Sequence, residues 1–471
     1  MGRRLDVAIV GAGTAGLSAL AVVRRHTEDF VLINDGPYGT TCARVGCMPS
    51  KALIEVVKAL RRLREFDRFG IGLPVPGRLD GAAVLRHVRR MRDDYVRGVL
   101  KLTADLGDRS IAGRARFLAP DALEVNGDRI EAQRIVVATG SRPVVPAAWI
   151  PLGAHVLTTD DLFEQSEFPR RVAVVGLGAV GAEMAQALAR LGVEVSAFAA
   201  GGRVAGLTDP EVSASAIAML AGEMEVHAGA RADVEACGAH LMVRAGAVAV
   251  EVDKVLVAMG RTPNLSDLGL ENLGIVPDER GRLPVDPRTL RLPGLPVYIA
   301  GDASGRAKIL HEAADEGWIA GHNATRVHDH CFERRTPLAI VFTDPEIAVV
   351  GKRFSELAAD ETILGEADLE GQGRLRMSGR DFGRIRIYAQ RETGLLLGAE
   401  LVAAGGEHLA HLLALAIQQR QTVVDLLRIP FYHPTVEEAL RTALRDAARK
   451  LPGEAGPDLA YCERLPAAGL A

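Results

Sequence analysis

Gly11-Ala12-Gly13-Thr14-Ala15-Gly16 is the stretch that decides the fold of the N-terminal part of the chain. An apolar run, Asp6 to Val10, precedes it, and a helical pattern up to Arg25 and a second apolar run, Phe30 to Ile33, follow it. Strand, glycine loop, helix and strand in this order are the context in which a GxGxxG motif indicates dinucleotide binding. Gly11 permits the tight turn, Gly13 lets backbone approach a pyrophosphate, and Gly16 lets helix and strand pack closely.

In such domains, the acid that holds a ribose lies about 20 positions after the loop. Asn34-Asp35 occupies that place, so the acid is either shifted by one residue or replaced by an amide. Both residues are therefore candidate nucleotide-binding residues.

The same plan recurs later in the chain. Arg171 to Val175 predicts a strand, Gly176-Leu177-Gly178-Ala179-Val180-Gly181 a second loop, Ala182 to Leu191 a helix and Val193 to Phe198 a strand. Each copy closes in the same way, because a strand leads into Thr139-Gly140 in the first copy and into Met259-Gly260 in the second. This repeat predicts two dinucleotide sites and electron transfer between two cofactors, unless one copy is a remnant without a ligand.

Two cysteines, Cys42 and Cys47, stand within Gly39-Thr40-Thr41-Cys42-Ala43-Arg44-Val45-Gly46-Cys47-Met48-Pro49-Ser50-Lys51. Five steps along a regular helix separate two Cα atoms by at least ~7.5 Å, whereas a disulfide needs roughly 4.4–6.8 Å. An oxidised pair therefore requires a distorted segment, which Gly46 permits, and strained pairs tend to be labile or catalytic. The alternatives are two buried cysteines or half of a metal site. No second cysteine pair follows at zinc-like spacing, so no metal site is predicted.

A second candidate for chemistry is Phe431-Tyr432-His433-Pro434-Thr435-Val436-Glu437-Glu438. Pro434 pushes His433 toward an extended conformation outside the helix that follows. Thr435 and Glu438 match a capping box, which is a purely structural task for Glu438. In the functional interpretation, Glu438 instead orients the imidazole and favours its protonated form, so that His433 exchanges protons near neutral pH.

The remaining segments carry weaker signals. Pro143 to Pro169 has the composition of a linker, and Pro296 to Asp302 predicts a buried strand that ends in an acid. Further elements are expected in the C-terminal half, with helices at 308–323, 407–419 and 436–450 and strands at 338–342 and 384–388. The last twenty residues predict a poorly ordered tail.

Composition limits the functional classes. A chain of 471 residues is long enough for about three domains. A formal charge of −4 gives no reason to expect nucleic acid or an acidic membrane as partner, and five cysteines do not suggest a secreted disulfide scaffold. No run of about 18 apolar residues is present, so we expect a cytoplasmic protein that does not span a membrane.

The motifs together resemble those of the class I, flavin-dependent pyridine nucleotide–disulfide oxidoreductases, in the same order and over about residues 5 to 450. Within that family the chain is most similar to the dihydrolipoamide dehydrogenases. Gly39 to Lys51 resembles the redox-active disulfide segment, and His433 to Glu438 resembles the catalytic base motif. Tyr298 to Asp302, with Leu310-His311, is similar to the second flavin-contacting motif.

The resemblance implies an α/β fold with two Rossmann-like dinucleotide-binding domains, for FAD and NAD, and a C-terminal α+β dimerisation domain. It also implies a division of the chain. The expected parts are 1–150, the FAD-binding domain with the redox-active disulfide; 151–270, the NAD-binding domain; 271–336, a central segment that completes the FAD site; 337–451, the dimerisation domain; and 452–471, the tail.

The resemblance further implies oxidation of dihydrolipoamide, or of a lipoyl-bearing protein, by NAD⁺. Cys47 would be the flavin-proximal sulfur and Cys42 the sulfur that exchanges with substrate. His433 and Glu438 would act across a homodimer interface on the cysteine pair of the other subunit, and Lys51, paired with Glu183, would lie near the flavin. The residues expected to bind cofactors are Gly11, Gly13, Gly16, Asn34, Asp35, Thr41, Lys51, Thr139, Gly140, Gly176, Gly178, Gly181, Glu183, Gly260, Gly301, Asp302, Leu310 and His311.

Three positions depart from the family pattern. Asn34 stands where a glutamate usually binds the adenosine ribose of FAD, Thr40 replaces the usual second glycine, and Ala199 falls where NAD-linked members carry an acid. NAD is still favoured over NADP, because Gly181 is not alanine and Arg203 is the only nearby cation. The alternatives are a glutathione- or mercuric-reductase-like enzyme acting on another small disulfide or electrophile, and a flavin-binding scaffold subunit without turnover.

Overall fold

The structure, a computed structural model, describes residues 4–72, 79–279, 282–453 and 458–459. The chain forms two compact units. The first consists of Met1–Val172, Val234–Met242 and Glu251–Arg334, and the second of Ala173–Asp233, Val243–Val250 and Arg335–Ala471. Among the described residues, none of the helices combines the length and the apolarity that crossing a bilayer requires.

The N-terminal part of the chain begins with a strand, a helix and a second strand, continues with three helices and then forms a series of strands. Its elements are β1 (Leu5–Val10), α1 (Thr14–Val23), β2 (Phe30–Asn34), α2 (Thr41–Val45), α3 (Cys47–Arg64), α4 (Gly81–Ala104), β3 (Ser110–Ala112), β4 (Ala115–Ala119), β5 (Ala122–Val125), β6 (Asp128–Val137), β7 (Ser141–Pro143), β8 (Val156–Leu157) and α5 (Thr159–Leu162).

The middle of the chain repeats the pattern. Its elements are β9 (Arg171–Val175), α6 (Ala179–Arg190), β10 (Glu194–Ala199), α7 (Pro210–Ala221), β11 (Glu225–Ala228), β12 (Asp233–Cys237), β13 (His240–Ala245), β14 (Val248–Val252), β15 (Lys254–Val257), β16 (Arg261–Pro263), β17 (Val297–Ile299) and α8 (Leu310–Ala324).

The C-terminal part ends in three helices, of which the middle one is short. Its elements are β18 (Leu338–Val341), β19 (Glu346–Gly351), β20 (Thr362–Asp368), α9 (Gly373–Ser378), β21 (Arg384–Gln390), β22 (Leu396–Ala403), α10 (Gly406–Gln418), α11 (Val423–Leu427) and α12 (Glu437–Ala448).

The first compact unit is built on a seven-stranded sheet of order β3-β2-β1-β6-β5-β4, with β17 pairing on β6. The strands β3, β2, β1, β6 and β17 run parallel, and β4, β5 and β6 form an antiparallel meander. Val7, Ala8 and Ile9 of β1 are wholly buried, as expected for a strand covered on both faces. The loop after β1 therefore opens at the carboxyl edge of a parallel sheet, where such folds bind ligands.

Glycine is required in the first loop because backbone passes close by. A Cβ atom on Gly16 would lie 1.8 Å from the carbonyl oxygen of Gly11, and a Cβ on Gly11, whose φ is +109°, would lie 2.2 Å from that of Ala138. These contacts agree with the close packing predicted for the third glycine.

In the second compact unit, β18, β19, β22, β21 and β20 form an antiparallel sheet in that order. The helices α10 and α12 cover it around an apolar core that includes Leu401, Leu413 and Leu440. A Cβ on Gly365 would lie 2.2 Å from the carbonyl oxygen of Ala443, so β20 and α12 are in close contact. This is the α+β region predicted for the C-terminus.

Several element boundaries differ from those predicted. Helix α6 begins at Ala179 rather than at Ala182, because the glycine loop already forms its first turn. The segment predicted as a linker contains β8, which pairs in parallel with β15, so that prediction was wrong there. Most of the predicted tail lies outside the described residues.

Candidate active site

The two cysteines lie on either side of a break between two helices. Helix α2 ends at Val45, Gly46 adopts φ −116° and ψ −118°, and α3 begins at Cys47. A Cβ on Gly46 would lie 3.1 Å from the Cα of Cys42, so the turn is too tight for a side chain to fit easily. The distortion predicted at Gly46 is thus present, and both cysteines are half-buried and not joined by a disulfide.

The environment of the pair decides which thiol keeps its proton. A side-chain hydrogen bond with Cys47, together with burial and the charge of Cys47, raises the pKa of the Cys42 thiol well above its usual range. The positive charge of Lys51 and a backbone hydrogen bond from Cys47 act in the opposite direction but are weaker. In the reduced pair, the thiol of Cys42 therefore holds its proton. Separately, Ser50 fixes the start of α3 by donating its hydroxyl to the carbonyl of Cys47 at 3.0 Å.

Both glycine loops lead into a helix whose N-terminus has no side-chain cap. Helix α1 follows Gly13 and helix α6 follows Gly178, and neither has an acidic residue in its first turn. The first N–H groups of a helix need an acceptor from elsewhere, and a diphosphate supplies one. Both loops therefore fit the phosphates of a dinucleotide cofactor.

A cavity of about 370 Å³ lies beside the first loop. Gly11, Asn34, Asp35, Arg114 and Thr139 are among the residues that line it. Asn34 accepts a hydrogen bond from the backbone N–H of Ala12 at 2.9 Å and donates one to the carbonyl of Gly36 at 2.9 Å.

Both polar groups of Asn34 are thus used to brace the loop. Two carboxylates lie on the cavity wall, those of Asp35 and Asp267, and both pair with Arg114, at 2.9 and 3.7 Å. Of the two, Asp35 directly follows β2, the position expected for the acid that binds a ribose. We therefore propose Asp35, rather than Asn34, as the acid that faces the ribose.

The segments that close the two repeats meet in the structure. Strands β7 and β16 pair antiparallel. Asn264 donates its side-chain amide to the carbonyl of Thr139 at 3.0 Å, and Thr139 donates its hydroxyl to the carbonyl of Asn264 at 2.8 Å. Sequence reasoning identified the closures as similar but not as partners. The available signal was the Gly-x-x-Pro pattern that they share, Gly140 to Pro143 and Gly260 to Pro263.

A chain of hydrogen bonds connects the paired strands β7 and β16 to Asp302. Arg261 donates to the hydroxyl of Ser141 at 2.8 Å, and that hydroxyl donates to the carboxylate of Asp302 at 2.5 Å. Sequence reasoning missed Ser141 and Arg261. The adjacent Gly301 donates its backbone N–H to buried Glu316 at 2.8 Å, and Leu310 and His311 form the half-exposed start of α8.

Glu183 lies in the buried part of α6 and accepts a hydrogen bond from the backbone N–H of Phe342 at 2.9 Å. The expected pairing of Glu183 with Lys51 stays a prediction. Gly176 has φ +97° and Gly260 also has φ +97°, backbone conformations that favour glycine.

His433 and Glu438 are paired. The Nδ1 atom of His433 lies 3.0 and 3.1 Å from the two carboxylate oxygens of Glu438. This hydrogen bond is the largest of the causes that lower the pKa of Glu438, and the N–H of Thr435 is the next. The side chain of His433 is 81% exposed, so the imidazole is oriented by a carboxylate and open to a reactant.

The capping-box alternative is only half correct. Glu438 does accept the backbone N–H of Thr435 at 3.2 Å, but the hydroxyl of Thr435 donates to the carbonyl of Tyr432 at 2.8 Å. The residue at the N-cap of α12 is Val436, without a side-chain cap. Glu438 therefore serves both the imidazole and the backbone.

Comparison with known proteins matches nearly the whole chain. Residues 5–317 match the family model described as pyridine nucleotide-disulphide oxidoreductase, and residues 338–444 match the dimerisation domain of the same family. A dihydrolipoyl dehydrogenase from Thermus scotoductus is 32% identical over 454 residues, which are 93% of this chain and 96% of that one. A soluble pyridine nucleotide transhydrogenase from Marinobacter nauticus is 29% identical, covering 95% and 98%.

Among solved structures, the flavoprotein disulfide reductase RclA from Escherichia coli, in complex with Cu(II), superposes with a TM-score of 0.82 at 20% identity, covering 94% of this chain and 99% of that one. This likeness supports the fold. The predicted fold class, two dinucleotide-binding regions and a C-terminal dimerisation region, is confirmed. The chain belongs to the pyridine nucleotide-disulphide oxidoreductase family and is an enzyme that uses FAD and a nicotinamide dinucleotide, NAD(H) in the dihydrolipoyl dehydrogenases.

Proposed function

We propose that this protein is a cytoplasmic homodimer that oxidises dihydrolipoamide, or a lipoyl group on a protein, with NAD⁺. The observation that carries the proposal is the Cys42–Cys47 pair, half-buried, hydrogen-bonded and separated by the break at Gly46. The dimerisation domain supports the homodimer. The names of several relatives support the substrate.

The reaction at sulfur follows from the residue types. A thiol of the substrate loses its proton to His433, and the resulting thiolate attacks Cys42 of the oxidised pair. The bond between Cys42 and Cys47 breaks, Cys47 leaves as a thiolate, and a mixed disulfide forms at Cys42. The second substrate thiol then attacks the substrate sulfur of that disulfide. The bond to Cys42 breaks, lipoamide is released, and the proton of the attacking thiol passes to the sulfur of Cys42. Two electrons then reside on the cysteine pair.

The remaining roles are proposed for residues of this chain. Bound FAD supplies the route by which the two electrons reach the nicotinamide. The uncapped starts of α1 and α6 hold the diphosphates, and Asp35 and Asp302 hold the sugar parts of FAD. Glu438 keeps the imidazole of His433 oriented toward the substrate thiol in the proposed dimer.

A panel of substrates tests this proposal. Steady-state rates are measured with dihydrolipoamide, glutathione disulfide and Hg²⁺, each with NAD(H) and NADP(H), together with direct transfer from NADPH to NAD⁺. We expect the highest kcat/KM for dihydrolipoamide with NAD⁺. A higher value for glutathione disulfide or Hg²⁺ favours the reductase alternative, and a rapid NADPH-to-NAD⁺ reaction favours the activity named for the relative from Marinobacter nauticus.

Two variants assign the roles. Cys42→Ser should abolish disulfide turnover and leave FAD bound, because the exchanging sulfur is lost while the glycine loop is intact. Unchanged lipoamide rates would contradict the role of Cys42. His433→Gln should slow the thiol half-reaction by ~10²-fold or more, the usual contribution of a general base, and should leave hydride transfer nearly unchanged in single-turnover measurements.

A further inference from the structure

Thr40 has a backbone conformation that suits glycine. Its φ is +60° and its ψ is +147°, in a region that residues with a Cβ rarely adopt. A β-branched residue with positive φ is a genuine outlier, and such outliers persist only where the surrounding structure holds them. Thr40 is two residues from Cys42.

The side chain and the backbone of Thr40 both hold the helix that carries Cys42. The hydroxyl oxygen accepts a hydrogen bond from the N–H of Ala43 at 3.1 Å, and the carbonyl accepts one from the N–H of Arg44 at 3.1 Å. A side-chain acceptor of this kind satisfies one of the N–H groups that the first turn of a helix leaves without a partner. Glycine in the same conformation would supply no such acceptor.

Helix α2 depends on its two ends. It has five residues, far fewer than an isolated helix needs to be stable in water. Thr40 fixes its start and Gly46 ends it, so these two residues set where the sulfur of Cys42 lies. The pKa of Cys42, raised first by its hydrogen bond with Cys47, agrees with a sulfur held against its neighbour.

We propose that Thr40 is a positioning residue for disulfide formation between Cys42 and Cys47. Its hydroxyl holds α2 in the orientation that brings the two sulfurs together, and the unfavourable backbone conformation is retained because that hydroxyl is needed. Which substrate the cysteine pair acts on depends on the proposed function, but the role of Thr40 in positioning Cys42 does not.

The test measures the equilibrium of the pair in the FAD-loaded protein. Both thiols lose a proton and an electron to oxidised dithiothreitol, which becomes the dithiol, while the bond between Cys42 and Cys47 forms. The oxidised fraction is obtained at a series of dithiothreitol ratios without oxygen, by alkylation of the remaining thiols and mass spectrometry. The variants are Thr40→Val, Thr40→Ser and Thr40→Gly.

Thr40→Val keeps the shape and loses the hydroxyl, so the equilibrium constant for closing the disulfide should fall about five-fold, the factor expected for the loss of one N-cap. Thr40→Ser keeps an acceptor and should stay within about twofold of the parent, because the hydrogen bond rather than the methyl group carries the effect. Thr40→Gly suits the backbone, so it folds even if Thr40→Val does not. It should shift the equilibrium in the same direction as Thr40→Val but by a smaller factor, because glycine is a better N-cap than valine.

The matched control is Arg420→Gly. Arg420 is exposed, has φ +54° at the end of α10 and lies far along the chain from the cysteines. Relief of positive φ there should leave the disulfide equilibrium unchanged.

An unchanged equilibrium in Thr40→Val or Thr40→Gly overturns the proposal, and so does a shift in Thr40→Ser as large as that in Thr40→Val. The outcome is independent of lipoamide turnover, because no lipoyl compound is present. Failure of the parent protein to oxidise dihydrolipoamide would contradict the proposed function while leaving this test intact.

Discussion

The two glycine-loop regions share a plan but anchor their helices in opposite ways. Helix α1 packs on α8 through glycine: a Cβ on Gly317 would lie 2.0 Å from the carbonyl oxygen of Ala15. Helix α6 is instead held by a row of buried polar side chains, Glu183, Gln186 and Arg190, which bind the segment 342–344. The loop motif limits the first turn of each helix, which holds a diphosphate in the proposed function, whereas the remaining turns can pack differently.

Because the two helices are anchored differently, different substitutions should destabilise them. The contact of α1 with α8 is backbone against backbone, so it tolerates no added atom. The contacts of α6 are ion pairs and hydrogen bonds out of water, so they tolerate no lost partner.

Arg190→Met is the strongest test of the polar anchor. Arg190 pairs with Asp344 at 3.0 Å and with Glu223 at 2.6 Å, and its side chain is 9% exposed. Removal of one member of a buried ion pair costs about 3–5 kcal/mol, so we expect a loss of that size in the free energy of unfolding, measured by denaturant titration. The control Arg445→Met, at the exposed pair with Asp458, should cost less than about 1 kcal/mol.

An equal and small effect in both arginine variants would show that α6 is not held by its polar row. The helix would then be anchored by its apolar residues.

Gly317→Ala tests the glycine anchor. The added methyl group has no room beside Ala15, and overpacking of this kind costs about 1–3 kcal/mol. We expect lower thermal stability and faster release of FAD, followed by flavin fluorescence. Gly98→Ala is the control, because Gly98 lies in α4 with nothing near its missing Cβ. That change should stabilise by about 0.5–1 kcal/mol, and a similar gain in Gly317→Ala would contradict the close contact.

Glu316→Gln tests how a buried carboxyl group in α8, the helix that packs on α1, affects stability as a function of pH. Burial raises the pKa of Glu316, and the nearby Arg334 only partly offsets it. Because the pKa is higher in the folded state, stability is greatest below the unfolded value and falls as pH rises through the folded value. We expect the glutamine variant to remove this part of the pH dependence of unfolding, measured above pH 4.5. An unchanged pH profile would mean that Glu316 does not titrate in that range.

The elements of both glycine-loop regions could be predicted because their signals are local. The apolar run Arg171–Val175 predicted β9 with the bounds that the structure has, and the spacing of the glycines predicted both loops. The start of α6 was missed by three residues, since the glycine turn and the first helical turn overlap there. Helix α1 begins at the predicted Thr14 and ends two residues before the predicted Arg25. The linker prediction failed at β8, because a strand of two residues is too short to show an alternation of apolar and polar residues in the sequence.

In the candidate site, hydrogen bonds between residues close in sequence could be predicted, whereas those between distant segments could not. The pairing of His433 with Glu438 spans five positions, so a motif could suggest it. Neither the brace made by Asn34 on Ala12 nor the chain from Arg261 through Ser141 to Asp302 could be inferred, because each joins segments that the sheet brings together from far apart in the sequence.

The sequence alone determined the two dinucleotide loops, the cysteine segment and the histidine–glutamate pair, since each depends on residues within a few positions of one another. Only the tertiary structure decided which buried charges meet, as when Arg190 finds Asp344 across 154 positions. It also decided the backbone of Thr40, a residue whose chemistry gives no reason to expect a positive φ. Local patterns set where an element forms, whereas the partners of buried polar groups depend on which distant segments the sheets bring into contact.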